Sequence, residues 1–169
     1  MTLEIRHSSE HEIATSIRSV VHADDWTEFD LDPVLAKFIG IRLRRKEARK
    51  AASAALAEFG PRAWSAQRFA VRCKVVPDDI ESALTALARA LAIPASRPIT
   101  PRLVCKALGI TNRERLRWTK DRRLPQSGSV SIRRAQIISV PTYSVRRIQA
   151  LADDASVIAA WRDADQAMG

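Results

Sequence analysis

Apolar residues recur at helical spacing along most of the chain. Ile13, Ile17, Val20 and Val21 form one stripe, which predicts a helix over residues 10–22. The acidic stretch ADDWTEFDLDP (23–33) reads as a connection. Asp32 before Pro33 suits a helix N-cap with proline at the first helical position. A long helix is expected from Pro33 to Phe59, because IRLRRKEARKAASAALAEF favours helix throughout and Gly60-Pro61 is a firm stop. A shorter helix is expected over Ser65–Cys73. Another is expected over Asp78–Ala92, with Ile80, Leu84, Leu87 and Leu91 on one face.

Three prolines in IPASRPITP (93–101) mark a linker. The expected domains are therefore residues 1–92 and 101–169, joined by 93–100. In the second, the pattern predicts helices at 101–108 and 111–121. A short two-stranded element follows in the β-branched, turn-rich run LPQSGSVSIRRAQIISVPTYS. A helix capped by Ser144 and a last helix over 154–167 complete it. The expected fold class is mainly α, with two small helical domains in tandem.

Charge changes this picture most. The 169 residues carry a net charge of +9, but unevenly. Residues 1–40 are net −5, residues 41–74 net +8, and residues 75–96 net −2. Residues 97–123 are net +7, residues 124–152 add four arginines and no acid, and residues 153–169 are net −3. Two basic blocks between acidic ends point to a positive surface and a polyanionic partner, nucleic acid first. The chain has no apolar run long enough to span a membrane, and MTLEIRHSSEHEIA does not read as a secretory leader. Cys73 and Cys105 read as small reduced core residues. The expected location is cytoplasmic, on the nucleoid.

The sharpest motif is LGITNRERLRWTKDRRLP (108–125). Thr111-Asn112-Arg113-Glu114 is a capping box: the Thr hydroxyl accepts from the third amide, and the Glu reaches back to the cap amide. Gly109 stands where a tight turn between helices needs a positive φ or a close approach. Cys105 supplies a small side chain where two helices cross. Together these predict a helix-turn-helix, whose second helix enters the DNA major groove.

These residues, with Trp118, Arg123-Leu124-Pro125 and Tyr143-Ser144, resemble the winged helix-turn-helix of the MerR and phage-excisionase type over about residues 99–151. The resemblance implies a DNA-reading helix and a β-wing. One position departs from the pattern: Arg115 stands where an apolar residue is usual, and Leu116 follows it. The buried face then runs either through Arg115 and Trp118, or through Leu116 and the Lys120 stem.

Upstream, Phe59-Gly60, Phe69-Ala70, Val75 and Ile80-Leu84 are similar to the three-helix DNA-binding domain of TetR-type regulators. Lys74 replaces the usual turn glycine there. The reading helix of that pattern would start at Pro77-Asp78-Asp79, which would repel phosphates. No base reading is expected from this half. Its basic surface is the long helix, where Arg42, Arg45, Lys46 and Arg49 are candidate phosphate contacts.

Other chemistry is not evident. The five glycines form no phosphate loop, His7 and His11 have no further ligand nearby, and no motif joins His22 to a catalytic triad. Trp26, Trp64, Trp118 and Trp161 read as core residues. The reading is a non-enzymatic, sequence-specific binder of double-stranded DNA, either a transcriptional regulator or an excisionase-like recombination factor. The alternative is a non-catalytic nucleic-acid-binding or protein-interaction subunit of a nucleoprotein complex. Candidate DNA contacts are Thr111, Asn112, Arg113, Arg115, Arg117, Lys120, Arg122, Arg133 and Arg134, with Asn112 suited to adenine and Arg113 or Arg117 to guanine. Beyond DNA, partners would be a second copy, a recombinase or RNA polymerase. No cofactor, metal or small-molecule ligand is expected.

Overall fold

The computed structural model describes residues 2–133 and 137–167, with side chains from Ser9 onward. The chain divides into two compact units, Met1–Arg97 and Pro98–Gly169.

The first unit is mixed α/β, which corrects the expectation of a mainly helical protein. Helix α1 (Thr2–Ser16) leads into strands β1 (Arg18–Val21) and β2 (Trp26–Asp30). Three short helices follow: α2 (Asp32–Lys37), α3 (Ile39–Leu43) and α4 (Arg45–Ala55). Strands β3 (Arg62–Trp64) and β4 (Ala70–Lys74) precede the long helix α5 (Ile80–Ser96). The four strands form an antiparallel sheet in the order β1-β2-β4-β3.

The reason lies in a period of two that the acidic and basic residues disguise. Thr27, Phe29 and Leu31 are buried, while Glu28 and Asp30 between them are not. Phe69, Val71, Cys73 and Val75 are buried, while Arg72 and Lys74 are exposed. Such alternation is the signature of a half-buried strand. Residues 65–73, expected as a helix, therefore turn into β4, and the three-helix arrangement implied for this half does not form. The inner sheet face packs into a core that includes Ile13, Leu56, Leu87 and Leu91.

The expected helix 33–59 is broken twice, at Phe38 and at Arg44. At the first break Gly40 presses its backbone against α5. A Cβ at this position would lie 2.4 Å from the Ala95 carbonyl oxygen and 2.7 Å from that of Pro94. At the second, the buried Arg44 donates from Nη1 to the Pro94 carbonyl at 3.2 Å. Helix α5 itself continues through Pro94 to Ser96, so half of the expected linker is helical.

The second unit starts with α6 (Pro101–Leu108) and α7 (Asn112–Lys120). Between them Gly109 adopts φ +60°, the left-handed conformation that glycine takes without strain. Strands β5 (Gly128–Arg133) and β6 (Ile137–Thr142) form an antiparallel pair, and α8 (Val145–Asp153) and α9 (Ala155–Ala167) close the unit. Among the described residues no helix is long and apolar enough to cross a membrane.

Candidate nucleic-acid interface

Helix α7 begins as its sequence predicts. Thr111 Oγ1 accepts from the Glu114 amide at 3.1 Å, and Glu114 Oε2 accepts from the Thr111 amide at 2.7 Å. Thr111 is thus occupied in the cap. A third partner comes from α9, where Arg162 donates from Nε to Glu114 at 2.7 Å and from Nη2 to the Gly109 carbonyl at 2.9 Å. One guanidinium therefore ties the turn to the cap. The Arg162 hydrogen bond outweighs partial burial and, with the Thr111 contacts, lowers the Glu114 carboxyl from 4.5 to about 2. In return Glu114 raises the pKa of Arg162.

The rotation of α7 resolves the ambiguity at Arg115. Arg115 and Trp118 face inward, and Leu116 is 54% exposed. Burying an arginine demands partners for its charge and its N–H groups. Arg115 has them. Nε and Nη2 both donate to Asn112 Oδ1, at 3.0 and 2.8 Å, and Nη1 donates to the Tyr143 hydroxyl at 2.6 Å. The Tyr143 hydroxyl also bonds Thr119 Oγ1 at 3.1 Å. Arg115 is therefore a core residue with 6% exposure, not a surface contact. Asn112 spends its acceptor on Arg115.

Below this, Asp165 of α9 is a hub with a side chain only 5% exposed. It accepts from Trp118 Nε1 at 2.8 Å and from Arg123 Nη2 at 2.6 Å, and it also pairs with Arg117. Burial would raise the Asp165 carboxyl. The Arg123 and Trp118 hydrogen bonds, with the Arg123 and Arg117 charges, overcome this and hold it below its ordinary value. Trp118 also meets Trp161 edge to face, with ring centroids 5.0 Å apart. Sequence reading missed Arg162 and Asp165 because they lie more than 40 residues from their partners.

The outer face of α7 carries Arg113, Leu116, Arg117 and Lys120, all exposed. Spacings of three, four and seven put them on one side of the helix. Arg117 is shared: half its side chain is exposed while its guanidinium reaches Asp165. Arg122 is exposed just past the helix end, with φ 66°. Arg133 is exposed on β5, and Arg134 lies outside the described residues.

The β5–β6 register gives the hairpin two unlike faces. Val130 pairs with Val140 and Ile132 with Ile138 on one face; Ser129, Ser131, Arg133 and Ser139 lie on the other, together with Ile137 and Pro141. In the first unit Arg42, Arg45, Lys46 and Arg49 are all exposed. No group of three or more His, Cys, Asp or Glu among the described residues is placed to hold a metal ion. The His7 side chain lies outside the described ones.

Comparison with family models, with curated proteins and with solved structures finds no match to this chain.

Proposed function

We propose that the chain binds double-stranded DNA through its second unit and reads sequence with the outer face of α7. The supporting observation is the division of that helix. Its inner face is fixed by Arg115, Trp118 and α9, while Arg113, Leu116, Arg117 and Lys120 project on a capped, immobilised rod. Base reading needs such rigidity, since a bidentate contact tolerates little displacement.

Roles follow from what each side chain has left to offer. Arg113 has its whole fork available and suits guanine. Exposed Leu116 suits a thymine methyl group. Arg117, steadied by Asp165, is the second candidate for guanine. The adenine pairing first expected of Asn112 needs its Oδ1 as acceptor, which Arg115 holds, so Asn112 is assigned no base. Lys120, Arg122 and Arg133 would contact phosphates. Such a protein would act on the nucleoid as a transcriptional regulator or recombination factor.

The test is selection from a random duplex pool, followed by affinity measurement at physiological salt. A specific reader is expected to prefer its selected site by ~10³ or more. A ratio below ~10 would sink the proposal. Arg113→Ala should cost ~1–3 kcal/mol at one base position and relax preference there. A uniform loss across all duplexes would reassign Arg113 to the backbone.

A further inference from the structure

The first unit has its own cationic surface, and its construction differs from a solvated helix face. Arg45 and Arg49 stand one turn apart on α4. The Arg45 guanidinium lies 5.3 Å from the centroid of Phe69, and that of Arg49 lies 4.8 Å from the centroid of Trp64. Phe69 and Trp64 pack together with centroids 5.2 Å apart, and Trp64 Nε1 donates to Ser53 Oγ at 2.8 Å. Two guanidinium planes are thus held against a fixed aromatic pair, which removes much of the rotamer freedom an exposed arginine would lose on binding.

Lys46 and Lys50 continue the charge around the same helix. Among the described residues no carboxylate forms an ion pair with any of these four cations. Glu47, the one acid on α4, is paired with Arg97 instead. Like charges one turn apart repel, so the array favours an anionic partner. The neighbouring open face of the sheet is different. There Arg68 and Arg72 share one carboxylate, Glu28, at 2.5 and 3.0 Å, which offsets half of their charge.

From this we infer that the α4 face, centred on Arg45 and Arg49, is a second DNA contact that grips the phosphate backbone without reading sequence. A double helix suits it better than a single strand. Single-strand grooves offer bare aromatic faces for base stacking, whereas here Phe69 is buried and Trp64 is stacked with Arg49 and Phe69. The choice of DNA over RNA rests on the function proposed for α7.

The experiment is a salt titration of full-length protein on a random-sequence DNA duplex, read by fluorescence anisotropy. Each lost phosphate contact lowers the slope of log K against log salt by about 0.9. Arg45→Gln/Arg49→Gln should therefore reduce the slope by about 1.8, equally for every sequence. Lys46→Gln/Lys50→Gln, which disturbs no aromatic stack, should also reduce it and guards against misfolding of the first variant. Arg18→Gln/Arg89→Gln removes the same charge elsewhere on the unit and should change the slope far less. An unchanged slope in both α4 variants, or an equal fall in the control, would overturn the inference. So would tighter α4-dependent binding to single-stranded DNA or to duplex RNA. Selection results for Arg113→Ala are independent of this slope, so the two readings fail separately.

Discussion

In the first unit Ile13, Phe29, Leu56, Val71, Leu87 and Leu91 belong to one apolar core, and Arg44 is its one charged residue among the buried ones described. In the second, the largest buried side chains, Trp118 and Tyr143, are both hydrogen-bonded to charged groups, Asp165 and Arg115. The contrast follows from size. A unit of about 70 residues has few apolar side chains to bury and must complete its core by other means. A unit that displays cations on one helix face gains from ion pairs that hold that helix still. Arginine here serves twice: buried and hydrogen-bonded at Arg115 or half-buried and paired at Arg123, and exposed at Arg113.

The largest expected effect tests whether the two cores are separate. Trp118→Ala removes a fully buried ring, its contact with Trp161 and its bond to Asp165, at a cost of about 3–5 kcal/mol. Hydrogen exchange should show protection lost within residues 98–167 and retained in the first unit. Equal loss in both would mean one cooperative core and would end the comparison. Gly40→Ala is the converse. Its Cβ would meet the backbone of α5, which cannot swing aside as a side chain would, so about 1–3 kcal/mol is expected. Melting and exchange should change in α3 and α5, with the protection of α7 intact. A melting curve like that of the parent would show that α3 and α5 can part without penalty.

The same two residues show what the sequence disclosed. Trp118 and the turn before it were legible because local signals agreed: a left-handed glycine, a reciprocal cap and an apolar residue at helical spacing. Gly40 was not legible, because its role depends on a helix segment more than 50 residues away. The strands of the first unit were overlooked for a different reason. Thr27, Phe29 and Leu31 alternate, and so do Val71, Cys73 and Val75, but the stretches around them read as an acidic connection and a short helix. On α7, composition identified the cations, yet it could not separate Arg113, which is exposed, from Arg115, which is not. That distinction is made by Tyr143, 28 residues away.

A smaller effect separates backbone strain from packing. Gly109 has open space around it, and a Cβ added there would meet nothing within 4 Å, so Gly109→Ala encounters only the left-handed φ. The expected cost is about 1 kcal/mol. Gly109→Asn should recover most of it in a melting experiment, since asparagine tolerates this conformation. If Asn is as damaging as Ala, the turn is limited by contacts and not by its dihedral angle.

An effect of similar size, confined to one pH range, isolates the charge in the polar latch of the second unit. Glu114→Gln keeps a side chain that can close the capping box but removes the charge that Arg162 binds. The folded carboxyl titrates at about 2, below its ordinary 4.5. Its stabilisation is therefore complete above about 4.5 and is lost as pH falls toward about 2. The melting temperatures of parent and variant should differ most at neutral pH, by an amount corresponding to about 1 kcal/mol, and converge in that acid window. Because Arg162 stays charged throughout, convergence can only come from protonating Glu114. A gap that persists at a pH of about 2 would mean that the glutamate acts through shape and not through charge, and the second unit would then be closed by packing, as the first is.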